Sequence, residues 1–204
     1  MLDLSRRLTD ELIIGDEVHN LDLAFNTILK LFAMWRNGEI PDIVKPHFAL
    51  KILTGENFSD LPVEQAMEIF EQIFEEHIRL KNLKDVSVEY DLAGNVIKTT
   101  RQTPNEKAVY DIEYDGDFIY ASFMQAYGID LFEQQGKLHW MKFNALLSGL
   151  PDGTKFVEVV KIRKYRPQKG DSHEYISEMR RLQSEYALPG ATIDEAEDDW
   201  EGGE

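Results

Sequence analysis

The sequence predicts a mainly α-helical protein, with about seven helices in two packed groups and a small N-terminal β-hairpin. Three observations lead to this class. Apolar residues recur at three- and four-residue spacing along most of the chain, glycine or proline follows nearly every such stretch, and strand-like alternation is limited to short pieces. The predicted regions are an N-terminal hairpin with a helical subdomain (1–82), a polar linker (83–108), a C-terminal helical subdomain (109–188) and an acidic tail (189–204).

The first elements of the chain are a hairpin and a long helix. A glycine followed by an aspartate (15–16) separates Glu11–Ile14 from Glu17–Asn20, and glycine at the first central position favours a two-residue hairpin turn. Asn20 is a suitable N-cap for the helix, which Gly38 ends. The side chains predicted to face the core are Leu21, Phe25, Ile28, Leu29, Phe32 and Trp35.

Two further helices complete the first group. Asp42 is a candidate N-cap for a shorter helix that ends before Gly55, and a third helix is predicted from about Pro62 to Leu80. The side chains predicted to face inward are Val44, Phe48, Ile52, Val63, Met67, Phe70, Phe74 and Ile78. The outer face of the third helix carries Glu64, Glu68, Glu71 and Glu75.

The linker is predicted because the helical period disappears from about Asn82 to Lys107. This stretch is polar and is interrupted by Pro104. We expect it to be poor in strands, and we expect limited proteolysis to cut first near Thr99 to Asn105.

The second group is built on the apolar-rich stretch Tyr110–Leu150. Asp115 is a candidate N-cap for a helix that Gly128 ends, and a second helix begins near Lys137 and ends at Gly149. These two short helices are expected to face each other and form a core. Its predicted members are Ile119, Phe123, Ala126, Trp140, Phe143, Leu147 and Leu150.

Two last helices precede the tail. Thr154 is a candidate N-cap for the first, and Asp171 or Ser172 starts the second, which Pro189 ends. Residues 190–204 contain seven acids and no base, so we expect this end of the chain to be disordered.

Composition excludes several classes of protein. The chain has 204 residues, a formal net charge of −16 and no cysteine, so it has no disulfide, thiol nucleophile or thiolate zinc site. No apolar run approaches the ~20 residues that a membrane span needs, and acids occupy the N-terminal positions where a secretory signal has its apolar core. We therefore expect a soluble intracellular protein that binds neither nucleic acid nor membranes, because both carry negative charge.

Acids at alternate positions (Asp111, Glu113 and Asp115) followed by Gly116 resemble the start of a calcium-binding loop. Such a loop needs a bidentate glutamate at its twelfth position, where this chain has Ser122. We therefore expect no bound metal here, and we expect Asp115 to cap its helix instead.

The histidines and glycines of the chain form none of the common catalytic motifs. The five histidines include no pair at i and i+4, and neither GxGxxG nor GxxxxGK occurs. The expectation is a protein that is not an enzyme, with no catalytic residues and no cofactor.

Two features admit two interpretations each. The basic residues from Lys155 to Lys169 either complement the negative end of a helix dipole or receive an acidic partner or the chain's own tail. Trp140 and Phe143 are either core residues or anchors of a partner-binding surface.

The order of three segments is distinctive: ELIIGDEVHNLDLAFNTIL, then YDIEYDGDFIYASFMQAYGIDL, then LHWMKFNALLSGL. In this order the chain resembles the tail assembly chaperones of siphophages that infect Gram-positive bacteria. The likeness covers most of residues 11–150 and is sharpest over residues 119–150. Met141 in place of a second aromatic residue, the long polar linker and the acidic tail depart from the family pattern.

The resemblance implies a protein that binds the tape measure protein, whose gene lies next to the chaperone gene in those phages. Many self-associating copies would keep this client soluble in the host bacterial cytoplasm until the tail tube polymerises around it. The residues expected at the binding groove are Tyr127, Gly128, Ile129, Asp130, Leu131, His139, Trp140 and Phe143. The alternative that the net charge permits is an acidic decoy, a nucleic-acid mimic that occupies a basic host protein.

Overall fold

The computed structural model describes residues 4–5, 7–79, 89–90, 96–97 and 109–191. These residues contain seven α-helices and an N-terminal hairpin, which confirms the predicted mainly α class. The predicted cleavage site in the linker and almost all of the acidic tail lie outside the described residues.

The N-terminal hairpin forms as predicted. Strand β1 (Glu11–Ile14) pairs antiparallel with β2 (Glu17–Asn20), and Gly15 occupies the turn with φ 62°. Ile13 lies opposite Val18, and both side chains are exposed.

A second strand pair lies within the predicted linker. Strands β3 (Glu89–Tyr90) and β4 (Val96–Ile97) pair antiparallel and have two residues each. All four described residues of the predicted linker belong to these two strands, and the expectation that the linker as a whole is poor in strands stays a prediction.

Helix α1 (Phe25–Arg36) begins later than predicted. Asn20 does not cap it, because Asn20 is the last residue of β2 and pairs within the hairpin. The start of the helix is held instead by Asp22, whose carboxylate accepts hydrogen bonds from Ala24 N at 3.0 Å and Thr27 Oγ1 at 2.7 Å. The N-cap position itself is Ala24, which makes no side-chain capping bond, so the predicted N-cap is wrong both in position and in residue type.

A short 3-10 turn (Asp42–Val44) leads into α2 (Lys45–Thr54). The prediction that Phe48 faces the core is wrong, since its side chain is 46% exposed. The buried face of α2 includes Leu50 and Leu53, and residues two apart point to different sides of a helix. Phe48 and Leu50 therefore cannot share that face.

Helix α3 (Val63–Ile73) continues directly into a π-helical turn (Phe74–Ile78), so the third predicted helix is continuous but changes its hydrogen-bond pattern near the end. Its buried side chains are Ala66, Phe70, Ile73, Phe74 and Ile78. The glutamates at its outer face remain largely in solvent.

The helices of the second group are α4 (Gly116–Tyr127), α5 (Trp140–Ser148), α6 (Lys155–Lys164) and α7 (His173–Glu185). Helix α4 ends where Gly128 adopts φ 64°, as predicted. Helix α5 begins at Trp140 rather than near Lys137. The delay arises because Leu138 O accepts a hydrogen bond from Phe25 N at 2.9 Å, which places the residues before α5 against the start of α1.

Both groups of helices contribute to one hydrophobic core. Phe143 of α5 stacks on Phe25 of α1, with ring centroids 5.0 Å apart, and on Phe123 of α4 at 5.3 Å. Helix α7 contributes no fully buried residue and packs on the outside of α6. The residues before and after the linker therefore depend on each other for burial.

Candidate functional site

Trp140, the expected centre of a partner-binding groove, lies in the core. Its side chain is 0% exposed, and its Nε1 donates a hydrogen bond to Ile78 O at 3.0 Å. Phe143 is 1% exposed and stacks on Trp140 at 5.8 Å. This corrects the expectation that these two residues line a groove, because neither side chain reaches the surface.

His139 caps helix α5. Its Nδ1 accepts a hydrogen bond from Met141 N at 3.0 Å, and its Nε2 lies 3.1 Å from Asp10 Oδ1. An accepting Nδ1 carries no proton, so the neutral ring donates from Nε2 to Asp10. Burial lowers the pKa of His139 below its ordinary value, and the Asp10 carboxylate opposes this shift. His139 is therefore a structural cap rather than a surface ligand.

The segment after α4 is a closed turn. Asp130 Oδ1 accepts a hydrogen bond from Phe132 N at 2.9 Å, and Tyr127 OH donates to Leu146 O at 2.9 Å. Leu131 is buried, whereas Gly128 is exposed. The polar groups of the predicted binding segment thus hold the turn against α5.

An exposed apolar surface does lie beside this turn. Phe132 is 71% exposed, and its ring lies 5.4 Å from that of Tyr120. Met124, one turn after Tyr120 on α4, is 42% exposed. We call these three residues, Tyr120, Met124 and Phe132, the α4 apolar surface.

The α4 apolar surface was missed by reasoning from periodicity. Phe132 lies outside the helical spacing of α4 and α5, so no buried face accounts for it. Met124 follows Phe123, which takes the inward position and leaves its neighbour outside. The sequence feature that could have indicated this surface is an aromatic residue, Phe132, in the segment between two amphipathic helices.

The acids that resembled a calcium loop are engaged by arginines. Arg36 of α1 reaches Asp111 at 3.1 Å and Glu113 at 2.7 Å. Asp115 occupies the N-cap position of α4, but its carboxylate makes no capping bond and binds Arg163 instead. The expectation that Asp115 caps the helix is therefore wrong in its chemistry. Within the described ranges, no group of three acids or histidines is placed to hold a metal ion.

Arg163 is the buried member of the basic run. Its guanidinium binds Asp115 through two hydrogen bonds of 2.6 and 2.7 Å, and the two side chains are 7% and 0% exposed. It also donates to Val109 O at 3.2 Å and to Tyr186 O at 2.6 Å. This residue joins α6 to the start of α4 and the end of α7, a role that neither interpretation of the basic run included.

The rest of the basic run is exposed. Lys161 pairs with Asp152 and Glu158, both at 2.9 Å, and these bonds raise the pKa of Lys161. For Lys164, Arg166 and Lys169, the described part of the chain provides no ion pair. These three cations stand out on a chain of net charge −16.

None of the helices in the described residues has the length and apolar character required to cross a membrane.

Comparison with known protein families gives a match over most of the chain. The sequence model of a family described as bacteriophage Gp15 protein matches residues 8–188, which is most of the chain. No curated protein and no solved structure matches it.

Proposed function

Because the chain belongs to the bacteriophage Gp15 protein family, we propose that it acts in phage assembly, as a tail assembly chaperone that binds and solubilises the tape measure protein. The family match supports a phage protein, and the resemblance of residues 11–150 to tail assembly chaperones supports the narrower role. The proposed place of action is the host cytoplasm, before the tail tube polymerises around its client.

The observation that carries this proposal is the α4 apolar surface. Phe132 is the most exposed aromatic side chain among the described residues, and it is backed by the ring of Tyr120. A rigid aromatic anchor of this kind suits an amphipathic helix, which presents apolar side chains at i, i+3, i+4 and i+7. The proposed client is long, apolar and mostly helical, so it offers many such segments.

The electrostatics of the chain fit a coating function. A net charge of −16 keeps a chain with exposed apolar side chains soluble, and it keeps a complex of many copies soluble as well. Each copy needs only moderate affinity, because repeated segments of one client raise the overall avidity. The proposed self-association on the client would add to this effect.

The test is co-expression of the chain with a fragment of the neighbouring tape measure protein, followed by pull-down. Phe132→Ala is expected to reduce capture about ten-fold or more, the scale of a lost hot-spot aromatic. Phe48→Ala on α2 is the matched control, because it removes an exposed phenylalanine from a different surface. Deletion of residues 192–204 should leave capture nearly intact, since the contact is apolar.

Equal capture by the wild-type chain and Phe132→Ala would contradict the role of the α4 apolar surface. Capture of a basic nucleic-acid-binding host protein, strongly weakened by salt and unaffected by Phe132→Ala, would instead support the decoy alternative. If neither the wild-type chain nor any variant retains the tape measure fragment, the chaperone proposal itself is wrong.

A further inference from the structure

The connection between α6 and α7 carries an unusual concentration of positive charge. Residues 155–181 contain eight Lys and Arg and four Asp and Glu, a net charge of +4 in a chain of −16. We call the exposed cations of this connection, Lys164, Arg166 and Lys169, the α6–α7 basic surface.

Three of the four acids between residues 155 and 181 are already engaged, and the fourth, Glu174, lies in the first turn of α7. Glu158 binds Lys161 at 2.9 Å, and Glu178 binds Arg181 at 2.6 Å. Asp171 accepts hydrogen bonds from Tyr165 OH at 2.6 Å and from Gln168 N. Among the described residues, no carboxylate forms an ion pair with the three cations of the α6–α7 basic surface.

The helix dipole explains only one of the three cations. Lys164 is the last residue of α6, where the negative end of the dipole favours it. Arg166 and Lys169 lie beyond that end, and Lys169 precedes α7, whose N-terminus is positive. The helix dipole therefore gives no reason for a cation at Lys169.

The end of α7 lies next to this surface. Tyr186, which follows the last residue of α7, accepts a hydrogen bond through its carbonyl from Arg163 Nε at 2.6 Å. Gln183, near the end of α7, donates hydrogen bonds to Ile162 O at 3.0 Å and to Tyr165 O at 2.9 Å, so this end of α7 lies against the end of α6 that carries Lys164. From there residues 192–204 contain seven acids and no base.

We propose that the acidic segment 192–204 binds the α6–α7 basic surface of the same chain and shields it from other polyanions, an inference that does not rest on the proposed chaperone function. Each extended residue spans about 3.3 Å, so the thirteen residues of this segment can extend over roughly 40 Å. The tether gives the segment an effective concentration on the order of millimolar, which favours it over a dilute competitor. A host nucleic acid then meets a surface that is already neutralised.

The absence of cysteine in the native sequence allows a direct test in the full-length protein. A spin label attached at Gly203→Cys is expected to broaden the backbone amide signals of residues 164–169 at low salt. The broadening should disappear at about 0.5 M salt, where the screening length is roughly 4 Å. It should also disappear in the matched variant Lys164→Gln, Arg166→Gln, Lys169→Gln, whose remaining amide spectrum reports that the fold is intact.

Mixing separates an intramolecular contact from one between copies. Spin-labelled chain without isotope, added to isotope-labelled chain without spin label, is expected to cause no broadening. Broadening in the mixture would overturn the proposal in favour of a tail that bridges two copies, and no broadening in either sample would overturn the contact altogether.

Retention on heparin provides the second measurement. Deletion of residues 192–204 is expected to increase the affinity for heparin at least ten-fold at low salt, and the triple glutamine variant should abolish that gain. Equal retention of the full and truncated chains would show that the segment does not shield the α6–α7 basic surface and would overturn the proposal.

Discussion

At the scale of single residues, two residues at the start of α5 make hydrogen bonds to residues that are distant in the sequence. Trp140 combines full burial with a hydrogen bond to Ile78 O, and its own backbone N–H donates to Leu23 O at 2.7 Å. His139, directly before it, caps α5 and bonds to Asp10. Two neighbouring residues thus join α5 to three separate parts of the N-terminal half.

Trp140→Ala is expected to lower the free energy of unfolding by about 3–5 kcal/mol, because it leaves a large cavity and an unpaired carbonyl at Ile78. Urea denaturation followed by circular dichroism measures this loss. Trp140→Phe is the control and should cost less, since it keeps most of the apolar volume. An unchanged urea midpoint in Trp140→Ala would contradict the core role of this residue.

His139 is expected to make stability depend on pH. The unfolded chain takes up the proton near the ordinary pKa of 6.5, whereas the folded chain takes it up only at lower pH. The stabilising contribution of the neutral ring is therefore complete above pH 6.5 and is lost as the pH falls from 6.5 toward the lower folded pKa. The slope for this one group cannot exceed about 1.4 kcal/mol per pH unit.

Urea unfolding at pH 7.5 and pH 5.5 tests this expectation against His139→Asn. Asparagine accepts the capping hydrogen bond but does not titrate in this range. The variant should lose less stability than the wild-type chain between the two values. The same loss in both proteins would assign the pH dependence to other groups.

At the scale of elements, the side chain of Arg163 connects three helices of the second group. Arg163 on α6 donates to both carboxylate oxygens of Asp115 at the start of α4, and its Nε donates to Tyr186 O just after α7. Helix α7 buries none of its own residues fully, and it is also attached through Gln183, whose Nε2 donates to Ile162 O and Tyr165 O, and through Tyr175, whose ring lies 5.6 Å from that of Tyr165.

Asp115→Asn and Arg163→Met are each expected to cost about 3–5 kcal/mol, because each leaves one buried group without its charged partner. The double variant should cost clearly less than the sum of the two, since neither charge then remains buried alone. A double-mutant cycle in urea measures the coupling. Additive losses would mean that the two side chains contribute independently of their contact.

At the scale of the whole molecule, one hydrophobic core joins the two groups of helices. The stacked rings of Phe25, Phe123 and Phe143 come from α1, α4 and α5, on both sides of the predicted linker. A separate N-terminal half would expose the apolar face that α5 covers. A chain of about 80 residues buries only a small hydrophobic core, so the loss of this contact would destabilise it strongly.

Residues 1–82 and 109–204, expressed separately, are therefore expected to show little helical circular dichroism and no cooperative thermal transition. Mixing the two fragments at equal concentration should restore the helical signal and produce a complex in gel filtration. The full chain is the reference for both measurements. A cooperative transition in residues 1–82 alone would show that this half folds independently.

Several features of the fold follow from the sequence alone because they depend on neighbours within a few residues. The hairpin turn at Gly15, the end of α4 at Gly128 and the start of α7 at Ser172 each rest on local backbone chemistry, and each prediction is confirmed. Helical spacing likewise predicted the apolar faces of most helices, including the burial of Phe70 and Phe123.

Only the tertiary structure determined which of these residues are buried in the core and which polar groups they contact. Spacing makes Trp140 an apolar helix residue, but its burial depends on Ile78 and Leu23, which are distant in sequence. The negative charge of Asp115 makes it a plausible N-cap, but its carboxylate instead accepts hydrogen bonds from Arg163 on helix α6. The reason is that periodicity and capping describe the energy of one segment, whereas burial and ion pairing are set by the segments that pack against it.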